Sequence, residues 1–117
     1  MNEYFTIAFT ENQIGVLNRI TACYLRRKIN IESLNVYETP VKGISIFVIS
    51  AFMSEEVATR LMKKISNIID VIEVENHTKE EIDDNENVTL LEFSKSGGVI
   101  LHSDLLKRKL MEISNRK

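Results

Sequence analysis

The stretch Asn12-Gln13-Ile14-Gly15-Val16 joins a β-branched, aromatic run to an amphipathic repeat, and its residue types suit the capture of a small anion. A strand that turns directly into a helix leaves several backbone N–H groups pointing at one spot, where the positive end of the helix dipole also acts. A glycine at that junction, Gly15, lets an anion approach the main chain closely, so a small carboxylate is the natural guest. The competing reading gives these residues only local duties: Asn12 caps the helix, and Gly15 lets helix and strand pack against each other.

Other chemistry is thin. His77 and His102 stand twenty-five residues apart, without a cysteine pair or a third histidine to complete a metal set. The single cysteine, Cys23, has no disulfide partner and falls on the apolar side of a helical repeat, the place of a small buried hydrophobe. Glu11 and Glu32 end their elements, and nothing pairs them into an acid/base couple. The expectation is therefore no catalytic residue, no metal and no cofactor.

The elements that must position the loop follow from periodicity. Residues 4 to 10 alternate, with Phe5, Ile7 and Phe9 on one face and Tyr4, Thr6, Ala8 and Thr10 on the other, which predicts a strand. Leu17, Ile20 and Tyr24, flanked by Val16 and Cys23, mark a helix over about 14–28 with Arg26, Arg27 and Lys28 at its C-terminal end, where positive charge suits the dipole. Residues 31–39 alternate again. Pro40-Val41-Lys42-Gly43 then makes a turn, and the apolar run 44–53 completes a hairpin and suits a central strand. Ser54 caps a second helix whose stripe is Val57, Leu61, Ile65 and Ile68, and residues 69–74 form a last short strand.

The order β-α-β-β-α-β predicts an α+β, ferredoxin-like domain over residues 1–76, with a four-stranded antiparallel sheet and both helices on one face. Alternate residues on the open face include Tyr4, Ile44 and Ile46 or their opposites, so another chain or the C-terminal tail is expected to cover part of it. Residues 77–87 are polar, with Glu80, Glu81, Asp83, Asp84 and Glu86 crowded together, and read as an extended acidic linker. Beyond it, residues 88–117 read as an extension: a strand over 88–93, a turn over 94–98 and a helix over 104–113 that must dock to be stable.

Composition narrows the function. Fifteen Lys and Arg against seventeen Asp and Glu give a net charge of -2, no footprint for nucleic acid or an anionic membrane. No apolar run approaches the roughly 20 residues that cross a bilayer, and the N-terminus lacks a basic region followed by an apolar stretch, so a soluble cytoplasmic protein is expected. The first loop carries no sulfur for copper. Ser45-Ile46-Phe47-Val48-Ile49 offers one aromatic and no charge for RNA. Arg19 lies a turn inside its helix rather than in the loop, which argues against a phosphatase.

With the elements placed, Glu11-Asn12-Gln13-Ile14-Gly15-Val16-Leu17-Asn18-Arg19-Ile20, followed by Asn30-Ile31-Glu32-Ser33-Leu34, resembles the ACT domain of the small regulatory subunit of acetolactate synthase (acetohydroxyacid synthase). Ile69-Asp70-Val71 is similar to that family's entry to strand four, and the resemblance covers residues 4 to 76. It implies a noncatalytic subunit that binds valine, leucine or isoleucine at an interface between two ACT domains. Such a subunit forms a homodimer and regulates the thiamine-diphosphate-dependent catalytic large subunit in branched-chain amino-acid biosynthesis. On this resemblance Asn12, Gln13, Ile14, Gly15 and Val16 hold the carboxylate, and Asn30 meets the amino group or the facing loop. The alternative it leaves is a structural ACT-like dimerisation module without effector.

Two departures from the family pattern stand out. Lys28 occupies a position that is usually glycine, so the helix must close without the residue that takes a left-handed conformation at no cost. Longer members also carry a second complete βαββαβ domain, against about one strand and one helix here, the pattern of a shortened or divergent form.

Overall fold

In the computed structural model of the chain, residues 1–83, 90–93 and 99–116 are described. The elements of the first part are β1 (Asn2–Glu11), α1 (Val16–Arg26), β2 (Ile31–Glu38), β3 (Ile44–Met53), α2 (Glu55–Ser66) and β4 (Val71–Thr78). Their sheet order is β2-β3-β1-β4, the ferredoxin-like arrangement of the expected α+β class. The most apolar segment, β3, takes a central place, because both of its edges must be paired and it carries no proline.

The helices cover one face. Tyr4 and Ala8 of β1 and Phe47, Ile49, Ala51 and Met53 of β3 form one core with Val16, Ile20, Cys23 and Tyr24 of α1 and Ala58, Leu61 and Ile65 of α2. Phe5, Ile7 and Phe9 alternate to the opposite face of β1, where Phe9 stands across from Ile46 and Ile7 from Val48. Tyr4 and Ile46 therefore belong to different faces: Tyr4 packs under the helices, and Ile46 does not share its side. Leu17, expected in the α1 stripe, is 38% exposed. Val16 takes its place because α1 begins there and its first turn fixes the rotation of the helix about its axis.

Ser54 caps α2 as expected, accepting a hydrogen bond from the Val57 N–H at 3.3 Å. The last strand runs further than its apolar core suggests, to Thr78. At an edge only one side of the ladder needs a partner, and buried Thr6 donates its hydroxyl proton to Asn76 Oδ1 at 2.9 Å.

The chain divides into two compact units, residues 1–77 and 78–117. The second holds α3 (Lys79–Asp83), a hairpin of β5 (Leu91–Phe93) and β6 (Val99–Leu101), and α4 (Ser103–Arg116). Two expectations change here. Residues 79–83 form a short helix rather than an extended linker, because Thr78 and Glu81 make a capping box: Glu81 Oε1 accepts from the Thr78 N–H at 3.0 Å, and Thr78 Oγ1 accepts from the Glu81 N–H at 3.3 Å. The extension also contains two strands, since Leu91, Glu92 and Phe93 pair with Leu101, Ile100 and Val99. Residues 84–89 and 94–98, the end of the expected linker, the start of the expected strand and the expected turn, lie outside the described residues.

Candidate functional site

The loop between β1 and α1 is built by three backbone contacts. The Asn12 N–H donates to the Gly43 carbonyl at 2.8 Å, tying the loop to the β2–β3 turn, and the Glu11 N–H donates to the Asp70 carbonyl at 2.8 Å. The Gln13 N–H turns back to the Glu11 carbonyl at 2.9 Å. From above, Arg19 of α1 reaches down to the Asp70 carboxylate, whose side chain is 14% exposed. The loop is therefore anchored to both neighbouring turns and to its own helix.

Gly15 is the N-cap of α1, at φ 90° and ψ -6°, and no side chain caps the helix. The local reading of Asn12 as a cap is thus not what the fold uses. A Cβ on Gly15 would meet nothing closer than Arg19 Nη2 at 4.0 Å, so the glycine is required by its positive φ rather than by crowding. That geometry opens the main chain outward. Among the described residues the N–H groups of Ile14, Gly15, Leu17 and Asn18 make no hydrogen bond, and the first turn of α1 holds no acidic residue to neutralise the dipole.

Among the expected contact residues, Asn12 and Gln13 are exposed, and the Ile14 side chain is fully exposed. Val16 differs: its side chain is buried in the core, and its N–H reaches the Gln13 carbonyl at 3.4 Å. The donors left for an anion are Ile14 and Gly15 of the expected set, joined by Leu17 and Asn18 because the helix starts later than its apolar repeat suggests. Gly43, at φ 88°, and Asp70 support the loop and carry no signal of that role in the sequence.

Asn30 is exposed and follows a helix end of defined geometry. The Lys28 N–H bonds the Leu25 carbonyl at 2.9 Å and the Ile29 N–H bonds the Tyr24 carbonyl at 3.1 Å, the paired bonds of a Schellman cap, with Lys28 itself at φ 56°. Lysine thus holds the left-handed position that glycine usually fills, and Ile29 packs against the core, the apolar contact that accompanies such a cap.

One chain does not bring Asn30 to the loop. Glu11, next to the loop, stands opposite Ile44, while Ile31, next to Asn30, stands opposite Ala51. Seven residues of strand separate the two points, roughly 24 Å. A depression of about 300 Å³ contains Asn12 with Glu38, Thr39 and Lys42, and another of about 440 Å³ contains Asn30 with Lys28, Glu32 and Phe52. Each holds one end of the expected set.

His77 Nε2 lies 3.1 Å from Glu75 Oε1 on β4, and His102 Nδ1 lies 3.5 Å from the Leu105 nitrogen at the start of α4. Among the described residues no three His, Cys, Asp or Glu side chains gather as a metal site, and no helix is long and apolar enough to cross a membrane.

Residues 8–73 match the family model of the AHAS small subunit-like ACT domain. A probable acetolactate synthase small subunit of Methanothermobacter thermautotrophicus is 36% identical over 67 residues, 57% of this chain and 40% of that protein. The acetolactate synthase small subunit of Bacillus subtilis is 38% identical over 72 residues, covering 61% of this chain and 42% of its own length. The chain thus spans less than half the length of these relatives. Among solved structures, the small subunit of acetolactate synthase from Thermotoga maritima superposes with a TM-score of 0.59 at 24% identity, covering 65% of this chain and 47% of that one.

Proposed function

The chain belongs to the AHAS small subunit-like ACT domain family, and we propose that it is a noncatalytic regulatory subunit that binds a branched-chain amino acid between two copies of itself. Its catalytic partner is the large subunit of a thiamine-diphosphate-dependent acetolactate synthase, whose activity the bound amino acid adjusts in branched-chain amino-acid biosynthesis. The observation that carries the effector reading is the loop at Gly15, with outward backbone N–H groups at an uncapped, uncompensated helix N-terminus. Such a group of donors suits a carboxylate and leaves the ammonium to a side-chain acceptor.

Asn30 supplies that acceptor from the second copy. The edge strand β2 is exposed along its length and shows Leu34, Val36 and Tyr37 to solvent. If two copies pair antiparallel along β2, the Ile31 end of one lies beside the Glu38 end of the other. The Glu38 end faces Ser45, next to Gly43 and the Asn12 loop. This pairing brings Asn30 of one copy toward Asn12–Val16 of its partner and covers an otherwise bare edge.

Calorimetry with valine, leucine and isoleucine tests the proposal. Binding by the wild type, and a loss of about 1.5–3 kcal/mol in Asn30→Ala, the range for a hydrogen bond to a charged group, are expected. The rival, a structural dimer without effector, gains some weight from the Gln13 and Val16 N–H groups, which bond within the loop. No heat and no melting shift with any of the three at millimolar concentration would favour it.

A further inference from the structure

A groove of about 800 Å³ lies between α1 and α2 and touches the surroundings of the effector loop at Asn18 and Arg19. Five cations line it: Arg19, Arg26 and Arg27 from α1 and its end, Arg60 and Lys64 from α2. Two carboxylates answer them, Asp70 on Arg19 and Glu56 on Arg60. Arg27 donates to the Cys23 carbonyl at 2.9 Å, while Arg26 and Lys64 have no partner among the described residues. A chain whose net charge is -2 therefore concentrates positive charge on one outer face.

The charges are spaced as helices space them. Arg19 and Arg26 are seven residues apart on α1, roughly 10 Å, and Arg60 and Lys64 stand one turn apart on α2. A third helix laid along the groove would carry carboxylates at i, i+4 and i+7 in the same register. At one end Ile69 is 90% exposed and offers an apolar contact. The charged stretch is too short to follow a nucleic-acid backbone, and the open groove lacks the enclosure of a small-molecule pocket.

We propose that the groove between α1 and α2 is the docking surface for an acidic amphipathic helix of a partner chain, with its carboxylates facing Arg26, Arg60 and Lys64. The inference rests on the regulatory-subunit reading only for the existence of a partner chain. Arg26 and Lys64 steer and position the helix, and Ile69 takes one apolar residue from it.

The test uses the full chain and a fluorescent alanine-based helical peptide with glutamates at i, i+4 and i+7 and a leucine beyond them, beside a counterpart with glutamines. Binding of the glutamate peptide tighter than about 1 mM, at least tenfold weaker for the glutamine peptide and for Arg26→Glu/Lys64→Glu, and weakening with salt, is expected. Both substituted residues are exposed, and circular dichroism checks that the variant folds. Equal binding by the charge-reversed chain, no binding of the glutamate peptide, or binding of tripolyphosphate in its place would overturn the proposal. Calorimetry with amino acids on the same variant keeps the two readings apart, because effector binding should survive the charge reversal.

Discussion

Gly15 and Asn30 flank the same helix from opposite ends: α1 runs from Val16 to Arg26, which places roughly 16 Å of helix between them. On the proposed reading each meets one half of an amino-acid zwitterion, and the distance between them means that one chain alone does not join the two halves. The dimer is thus a requirement of the effector reading.

The first prediction concerns mass. Light scattering should give twice the 13.5 kDa of the chain at micromolar concentration. Val36→Lys on the exposed edge strand should shift the population toward monomer, since a charge on an edge opposes pairing. A single monomer peak for the wild type would remove the shared site.

How far the site was legible depends on which residues carry a local signal. The strand-to-helix junction and Gly15 were readable because apolar periodicity changes from two to 3.6 across them. The helix start was misjudged at Ile14, which is apolar yet fully exposed, so Leu17 and Asn18 were missed as donors. Gly43 and Asp70 were invisible for a different reason: they hold the loop through backbone carbonyls, a role any residue type can play. Of the second unit, the box Thr78-x-x-Glu81 was a legible helix signal overshadowed by the acidic run, and β6 is too short at three residues to show a period.

Gly15→Val should destabilise the fold by about 1–2 kcal/mol in urea titrations, because a β-branched residue must be held at positive φ. The effect does not come from crowding, as the nearest atom to a Cβ is 4.0 Å away. Gly15→Ala should then cost nearly as much as Gly15→Val, and a much larger cost for valine alone would point to a steric role.

Lys28→Gly should raise stability by about 0.5–1 kcal/mol, since glycine holds the left-handed cap position without the cost a lysine bears there. A melting curve decides it. A drop in stability would mean that the lysine side chain contributes more than its backbone conformation costs.

Burial pushes the Tyr24 phenol up to about 12, an effect that the nearby Thr6 hydroxyl partly offsets and the Cys23 thiolate would add to. In the unfolded chain the group ionises near its ordinary value of 10.0, so between these two values the unfolded state binds fewer protons than the folded one. Stability from this group is fully present below pH 10 and falls as pH rises toward 12, by about 2–3 kcal/mol at most. Tyr24→Phe should remove that part of the alkaline loss. It should also be tolerated at neutral pH, because the buried Tyr24 hydroxyl has no partner at hydrogen-bond distance among the described residues and the nearby Thr6 hydroxyl donates to Asn76 instead.

The most direct measurement is complementation between two disabled chains. Gly15→Val removes the loop conformation and Asn30→Lys puts a cation where the ammonium must sit, so each homodimer should fail to bind valine, leucine or isoleucine by calorimetry. When the two are unfolded together and refolded as a mixture, each heterodimer should regain one intact site, formed by the wild-type loop of one copy and the wild-type Asn30 of the other. The account predicts that binding returns in the mixture at wild-type affinity, with about one site per heterodimer. No recovery from heterodimers shown to have formed, or undiminished binding by Asn30→Lys alone, would contradict a site shared between two copies.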